Sequence, residues 1–246
     1  MEVNGYNIES GSDLTGANLC GMDLSRTDLE AADLTYANLR EANLSFADLN
    51  TADLREANLR EANLSNAELP WTDLAWANLC GAGLSGANLT DANLTKAILY
   101  DAFMSEANLT DANLTEAILS NAEMEHANLT RANLTHALLL KVNLFGANLT
   151  SAKLYCADLT EATLSQAVLT GADLRRSKLW SSDLSDANLV GADLSMAILC
   201  GANLRDADLT MAILCGTNLR DANLTGANLT GANLTGAIMP DGTTNG

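Results

Sequence analysis

The side chains that most often perform enzymatic chemistry are scarce in this chain. It has two histidines, His126 and His136, and no cluster of His and Cys residues has the spacing of a zinc site. The glycines follow the overall repeat of the chain and form no phosphate-binding loop. We therefore expect a protein that is not an enzyme, with no catalytic residue, no cofactor, no metal and no small-molecule substrate.

Carboxylates are the abundant chemical group. The chain has 31 acidic and 13 basic residues and a net charge of −18, which opposes direct binding to nucleic acid. Asp13, Asp33, Asp53 and Asp73 recur every twenty residues. One interpretation of such a column is a site for a cation such as Ca²⁺, because Ca²⁺ prefers carboxylate oxygens. The favoured interpretation is that these carboxylates are solvated or accept hydrogen bonds within turns.

The five cysteines and the absence of targeting features favour the cytoplasm. Cys20, Cys80, Cys156, Cys200 and Cys215 do not form a disulfide framework, which favours a reducing compartment. The first residues lack a basic region followed by an apolar one, so they are not expected to be a secretory signal. No apolar run reaches 18 residues, so we expect no membrane insertion.

A five-residue repeat dominates the chain and positions every other side chain. Leu or Met occupies every fifth position from Leu14 to Met239, which makes 46 consecutive units. The residue two places earlier is Ala in 38 of them, and the unit reads A-(N/D)-L-x-x. Neither a helix, at 100° per residue, nor a flat strand, with its period of two, keeps every fifth side chain on one face. One bend per unit does, because Ala and Leu then point inward together and the next two residues turn a corner.

Spacing alone does not fix the number of units in one turn of the coil. Repeats at twenty residues, such as Ser25, Ser45 and Ser65, favour four units, and weaker repeats at fifteen leave three open.

The segment 222–237, A-N-L-T-G-A-N-L-T-G-A-N-L-T-G-A, resembles the consensus of the pentapeptide repeat family. The resemblance implies an all-β, single-domain fold, a right-handed quadrilateral β-helix with four pentapeptides per coil. About 11.5 coils would then give a rod roughly 55 Å long. We expect a short head at 1–11, the β-helix at 12–240 and a tail at 241–246. The ending G-A-I-M-P-D-G at 236–242 is similar to that of cyanobacterial members.

A four-sided coil assigns each outward side chain to one side, which we name by its first central residue. The Leu24 and Leu29 sides together carry a net charge of −11. Family members that confer quinolone resistance imitate DNA and bind DNA gyrase, so the resemblance makes an acidic DNA mimic one possible function. Those proteins usually have Phe at the central position and loop insertions, and this chain has neither. The alternative is that the acidity only keeps the protein soluble.

The Leu19 side has apolar residues where Asn or Asp is normal. Ile98, Ile118 and Leu138 would fall in three successive coils, and Tyr100 and Leu140 follow the first and last of them, so the five should form a contiguous exposed strip. Exposed strips of this kind usually mark an interface. Otherwise the substitutions are tolerated surface variation. The complete candidate interface is Ile98, Tyr100, Ile118, Leu138, Leu140, Trp180 and Ile198.

Two further patterns lie outside this strip. Trp71 and Trp76 sit at consecutive corners and either anchor a partner or cover Pro70. Asn88, Asn108, Asn128 and Asn148 are predicted to form an amide ladder between coils.

These observations predict a rod that binds a protein partner or itself through the apolar strip. The alternatives are the DNA mimic and a purely structural rod that assembles end to end, because coil ends expose strand edges.

Overall fold

The computed structural model describes residues 2–3 and 5–246. It opens with a small antiparallel hairpin of β1 (Glu2–Val3) and β2 (Tyr6–Asn7), in which Val3 faces Tyr6 in the register. Ile8 follows the hairpin and is buried against the first coil. Beyond it, the secondary structure in the described chain consists of single-residue bridges and turns.

Each coil contains four units. From Asp13 to Asn218, the residue before each central Leu or Met forms a parallel bridge with the residue twenty positions later, as in Asp13 with Asp33 and Asn38 with Asn58. The period of twenty confirms four units per coil and excludes three. The weaker fifteen-residue repeats in the sequence therefore do not correspond to one turn of the coil.

The interior is a narrow column of Leu and Ala. Every central residue from Leu14 to Leu219 is buried, and so are nearly all the alanines two places before them. The inward pair predicted from the repeat is thus confirmed. In the last coil of the described residues, Leu224, Leu229, Leu234 and Met239 are only partly buried.

The hydrogen bonds of one unit explain its residue types. In the unit 32–36, the amides of Leu34 and Tyr36 donate to the next coil, and Asp33 N–H donates to the preceding coil. The Thr35 amide donates to the Asp33 side chain at 3.0 Å. The amide of the following Ala37 closes the corner by donating to the Leu34 carbonyl. Asn or Asp is favoured before Leu because its side chain accepts the one amide that the coils leave over.

The corner requires a backbone conformation that suits glycine. The second residue after each central Leu has a positive φ from Gly16 to Gly236, for example 59° at Tyr36. A four-residue turn with positive φ at its third residue has the pattern of a type II turn. The positive φ explains why Gly, Asn and Asp occur at this position, but it does not explain the glutamates, since a side chain other than glycine costs about 1–2 kcal/mol there.

Candidate interaction surface

The apolar strip interrupts the hydrogen bonding of the normal unit. Ile98, Ile118 and Leu138 replace the Asn or Asp that accepts the amide two residues later. The amides of Tyr100, Ser120 and Leu140 consequently have no acceptor among the described residues, whereas Thr95 N–H still donates to Asn93. Three successive coils thus lose the same structural hydrogen bond.

The structure brings five of the seven predicted residues together. Parallel bridges join Ile98 to Ile118 and Ile118 to Leu138, so these side chains stand next to one another along the Leu19 side. Leu138 is 42% exposed and Ile98 37%, whereas Ile118 between them is half-buried. Tyr100 and Leu140 are exposed at the adjoining corner. We call Ile98, Tyr100, Ile118, Leu138 and Leu140 the apolar strip.

Trp180 and Ile198 do not belong to this strip. The bridges continue from Leu138 to Asp158, then to Lys178 and only then to Ile198. Lys178 Nζ lies 3.0 Å from Asp158 Oδ2, which places an ion pair between the strip and Ile198. Trp180 is exposed at its corner, two coils beyond Leu140. Both residues therefore lie apart from the surface that the other five form.

The rim of the strip is polar and partly charged. Asn121 donates to Tyr100 Oη at 3.0 Å and to Asp101 Oδ1 at 3.1 Å, which fixes the tyrosine hydroxyl at the edge. Lys141 Nζ lies 3.4 Å from Glu161 Oε2 beside Leu140. An apolar centre with a polar rim is the usual anatomy of a protein interface.

Sequence reasoning missed one large apolar side chain near the strip. Phe103 is 54% exposed on the Leu24 side, in the same coil as Ile98 and Tyr100. Phe103 also precedes a central residue, where Asn or Asp is normal, so the criterion that singles out Ile98 in the sequence applies to Phe103 as well. Met196, Met211 and Ile213 are also exposed, nearer the end of the chain.

The remaining polar candidates have structural partners. His126 packs edge-on against Phe145 at 5.5 Å between ring centroids, and His136 packs likewise against Tyr155 at 5.9 Å. Among the described residues, no three His, Cys, Asp or Glu side chains are grouped to hold a metal, and all five cysteines are free thiols.

The aspartate column accepts hydrogen bonds within turns. Asp13, Asp33, Asp53 and Asp73 each accept the amide two residues later. The Thr35 hydroxyl and amide hold the pKa of Asp33 below its ordinary value.

The predicted asparagine ladder is confirmed in part. Asn108 Nδ2 donates to Asn88 Oδ1 at 3.5 Å and Asn128 donates to Asn108 at 3.3 Å. The prediction was wrong for Asn148, whose Oδ1 accepts from Thr150 and whose amide does not reach Asn128. Threonine carries much of the ladder instead, since Asn128 Nδ2 also donates to Thr110 Oγ1 at 2.9 Å.

Comparison with known proteins identifies the class of this rod. The family model described as "Pentapeptide repeats (8 copies)" matches overlapping segments that together run from residue 12 to residue 239. The chain belongs to the pentapeptide repeat family, whose members fold as right-handed quadrilateral β-helices, as this chain does. Comparison with the sequences of curated proteins gives no match.

Solved structures of the same family resemble the chain. HetL, a pentapeptide repeat protein involved in heterocyst differentiation regulation from the cyanobacterium Nostoc sp. strain PCC 7120, is 39% identical over 87% of this chain and 92% of its own, with a TM-score of 0.45. QnrB1, a plasmid-mediated fluoroquinolone resistance protein, is 16% identical over 65% of this chain and 85% of its own, with a TM-score of 0.55. A protein of the Arabidopsis thaliana thylakoid lumen is 26% identical over 38% of this chain and 65% of its own, with a TM-score of 0.37.

In the described residues, no helix has the length and apolar composition needed to cross a membrane.

Proposed function

We propose that the protein is a non-catalytic interaction protein that binds a protein partner through the apolar strip. The observation that carries this proposal is the loss of the same amide hydrogen bond in three successive coils, at Ile98, Ile118 and Leu138. Each such bond contributes about 0.5–1.5 kcal/mol to stability. The fold does not need these substitutions, because units with Asn or Asp form the same coil and keep the bond. A binding surface is a physical reason to place apolar side chains there.

The free amides specify part of the partner's chemistry. Burial of Leu138 and Ile98 would supply affinity from apolar area, at about 25 cal/mol per Å² removed from water. The amides of Tyr100, Ser120 and Leu140 would lose water at the same time, which is costly unless the partner supplies acceptors. We therefore expect the partner to present apolar side chains together with carbonyl, carboxylate or hydroxyl oxygens.

Charge favours a different protein over a second copy of this chain as the occupant. The net charge is −18, so two copies that met side by side would repel each other. At the rim of the strip, Glu161 and Glu116 are paired with Lys141 and Lys96, whereas Asp101 accepts a hydrogen bond from Asn121 and has no cationic partner among the described residues. A partner with basic residues around an apolar centre would complement this surface and would be steered towards it.

Two other functions of the rod give different experimental results. An acidic DNA mimic would act through the Leu24 and Leu29 sides, and its binding would weaken with salt but survive a change in the strip. A structural rod that assembles end to end would form concentration-dependent filaments, also independent of the strip. The similarity to QnrB1 supports the fold alone, because only 16% of the aligned residues are identical.

The decisive experiment compares capture by the wild-type protein and by Leu138→Asp, followed by binding measurements with the purified captured partner. Leu138 points outward, so the substitution leaves the core unchanged. Loss of a central anchor residue costs about 2 kcal/mol or more, so Kd should rise about thirtyfold.

Met211→Asp is the matched control. Met211 is 64% exposed at a corner outside the strip, so the variant introduces the same charge on a comparable apolar side chain. It should bind the partner as the wild type does. Equal binding by wild type and Leu138→Asp would refute the proposal, and equal losses in the two variants would attribute the effect to added charge.

A further inference from the structure

A cavity of about 320 Å³ opens on one corner of the rod, before the apolar strip in the chain. Its lining consists of Thr35, Tyr36, Arg55, Glu56, Ala75 and Trp76, which come from the same corner of three successive coils. Thr35 and Ala75 are buried and form part of the floor, whereas Tyr36 and Trp76 project into solvent. The corner is therefore a slot with an aromatic residue at each end.

The two aromatic residues are spaced to hold one cation between them. Tyr36 and Trp76 are two coils apart, which is roughly 10 Å at the spacing of neighbouring strands. A cationic group midway between them would lie about 5 Å from each ring, within the reach of about 6 Å for a cation–π interaction. Trp76 already binds a cation on the side of the following coil, where Lys96 Nζ lies 4.5 Å from the ring centroid. The slot lies on the other side of Trp76, towards Glu56.

The charges around the slot favour the same kind of ligand. Glu56 accepts a hydrogen bond from Tyr36 Oη at 3.2 Å and has no cationic partner among the described residues. The Arg55 guanidinium is held by Asp53, with Nε 2.8 Å from Oδ1, and Arg55 Nε lies 3.8 Å from Asp73 Oδ2. Two carboxylates thus neutralise Arg55, the cation among the residues that line the slot, and Glu56 can pair with a ligand.

We propose that this slot binds an arginine side chain of a partner protein. A guanidinium is planar and stacks on aromatic faces, and its fork of N–H donors can reach the Glu56 carboxylate while its faces lie against Tyr36 and Trp76. A lysine ammonium would gain the charge but not the stacking. In this proposal Trp76 anchors the partner, and the aromatic residue that acts with it is Tyr36 and not Trp71, with which the sequence paired it.

The slot and the apolar strip lie near each other but rest on separate observations. Trp76 lies two residues before Asn78, and Asn78 is the bridge partner of Ile98. One partner could therefore occupy both surfaces. The slot is supported by its cavity, its two aromatic residues and Glu56, so it can hold an arginine even if the strip binds nothing.

The test is a titration with N-acetyl-arginine methylamide, observed by NMR through the three tryptophan indole N–H signals. Trp76 should show a saturable shift, whereas Trp71 and Trp180 should not. The citrulline analogue, which replaces the guanidinium by a neutral urea of the same shape, should bind at least about tenfold more weakly. The corresponding lysine compound should bind more weakly than the arginine compound.

Matched variants separate the slot from general attraction to an acidic protein. Glu56→Gln should weaken binding about threefold, and Glu106→Gln, at an exposed corner on another side, should have no effect. Trp76→Ala should weaken binding about tenfold, as detected by calorimetry, while Trp71→Ala at similar exposure should not. Leu138→Asp should leave the titration unchanged, so failure of the strip proposal would not affect this result. Equal shifts of all three indoles, equal binding of the citrulline analogue, or equal effects of the paired variants would overturn the proposal.

Discussion

Alanine at position 191 should lower the stability of the protein, whereas alanine at position 83 should raise it. Gly191 occupies a corner with φ of 66°, and a Cβ added there would meet nothing within 4 Å. The substitution therefore isolates the backbone cost of a left-handed residue, about 1–2 kcal/mol. The smaller conformational freedom of the unfolded alanine chain returns about 0.4–1 kcal/mol. The net loss is about 1 kcal/mol, which lowers Tm by about 2–4 °C in a chain of this length.

Gly83 is the matched control because it lies on a flat side of the coil rather than at a corner. It bridges Phe103, is absent from the residues with positive φ, and its added Cβ would come no closer than 3.7 Å to Asn63 Oδ1. Alanine there keeps the entropic gain without strain, so stability should rise by about 0.4–1 kcal/mol. The reverse change at a corner, Ala31→Gly at φ of 54°, should also be stabilising.

The assay is urea unfolding followed by circular dichroism, together with amide hydrogen exchange near each substitution. Hydrogen exchange is included because a solenoid can open in parts, and it reports the local free energy of opening. Shifts of the same sign at positions 191 and 83 would refute the reasoning that corner strain, rather than glycine content, determines these effects.

Two further predictions concern the core and the acidic side chains. Leu119→Ala should lower the free energy of unfolding by about 2–5 kcal/mol, because the Leu119 side chain is fully buried and its removal leaves a cavity. Leu140→Ala, at an exposed corner, should change the free energy of unfolding by less than about 0.5 kcal/mol. Equal urea midpoints for the two variants would contradict the assignment of Leu119 to the interior and Leu140 to the surface. The Thr35 hydroxyl and amide lower the pKa of Asp33 in the folded state, so its contribution to stability is present above the unfolded pKa of about 3.9 and is lost as pH falls through the lower folded pKa. The urea midpoint of Asp33→Asn should therefore lie below that of the wild type at pH 6 and approach it in the acid range, and a difference that grows on acidification would have the wrong sign.

The comparison of the strip with its neighbours shows how far local spacing can predict a surface. Ile98, Ile118 and Leu138 were found from the sequence because each breaks a rule of the unit that has a chemical cause, the need for an acceptor before Leu. Their adjacency followed once a coil of twenty residues was assumed. Ile198 breaks the same rule, but Asp158 and Lys178 stand between it and the strip and form an ion pair. Trp180 follows its central Leu and lies two coils beyond Leu140. A rule based on the residues of a single unit takes no account of the residues in the coils between two units, so it cannot predict whether two such units form one surface.

The sequence by itself determined the interior and the corners of this rod. A period of five fits neither a helix nor a flat strand, so Leu14 and its successors could remain inside only if the chain bent once per unit, and the residue at each bend had to tolerate positive φ. The number of units per coil could not be determined from the spacing of residues in the sequence, because repeats at fifteen and at twenty residues were both present. Only the pairing of each residue with the one twenty positions later decided it. The same pairing placed Tyr36, Glu56 and Trp76 around one cavity, whereas the sequence grouped Trp76 with Trp71. Such sites depend on contacts between coils, and these are set by how the whole chain stacks.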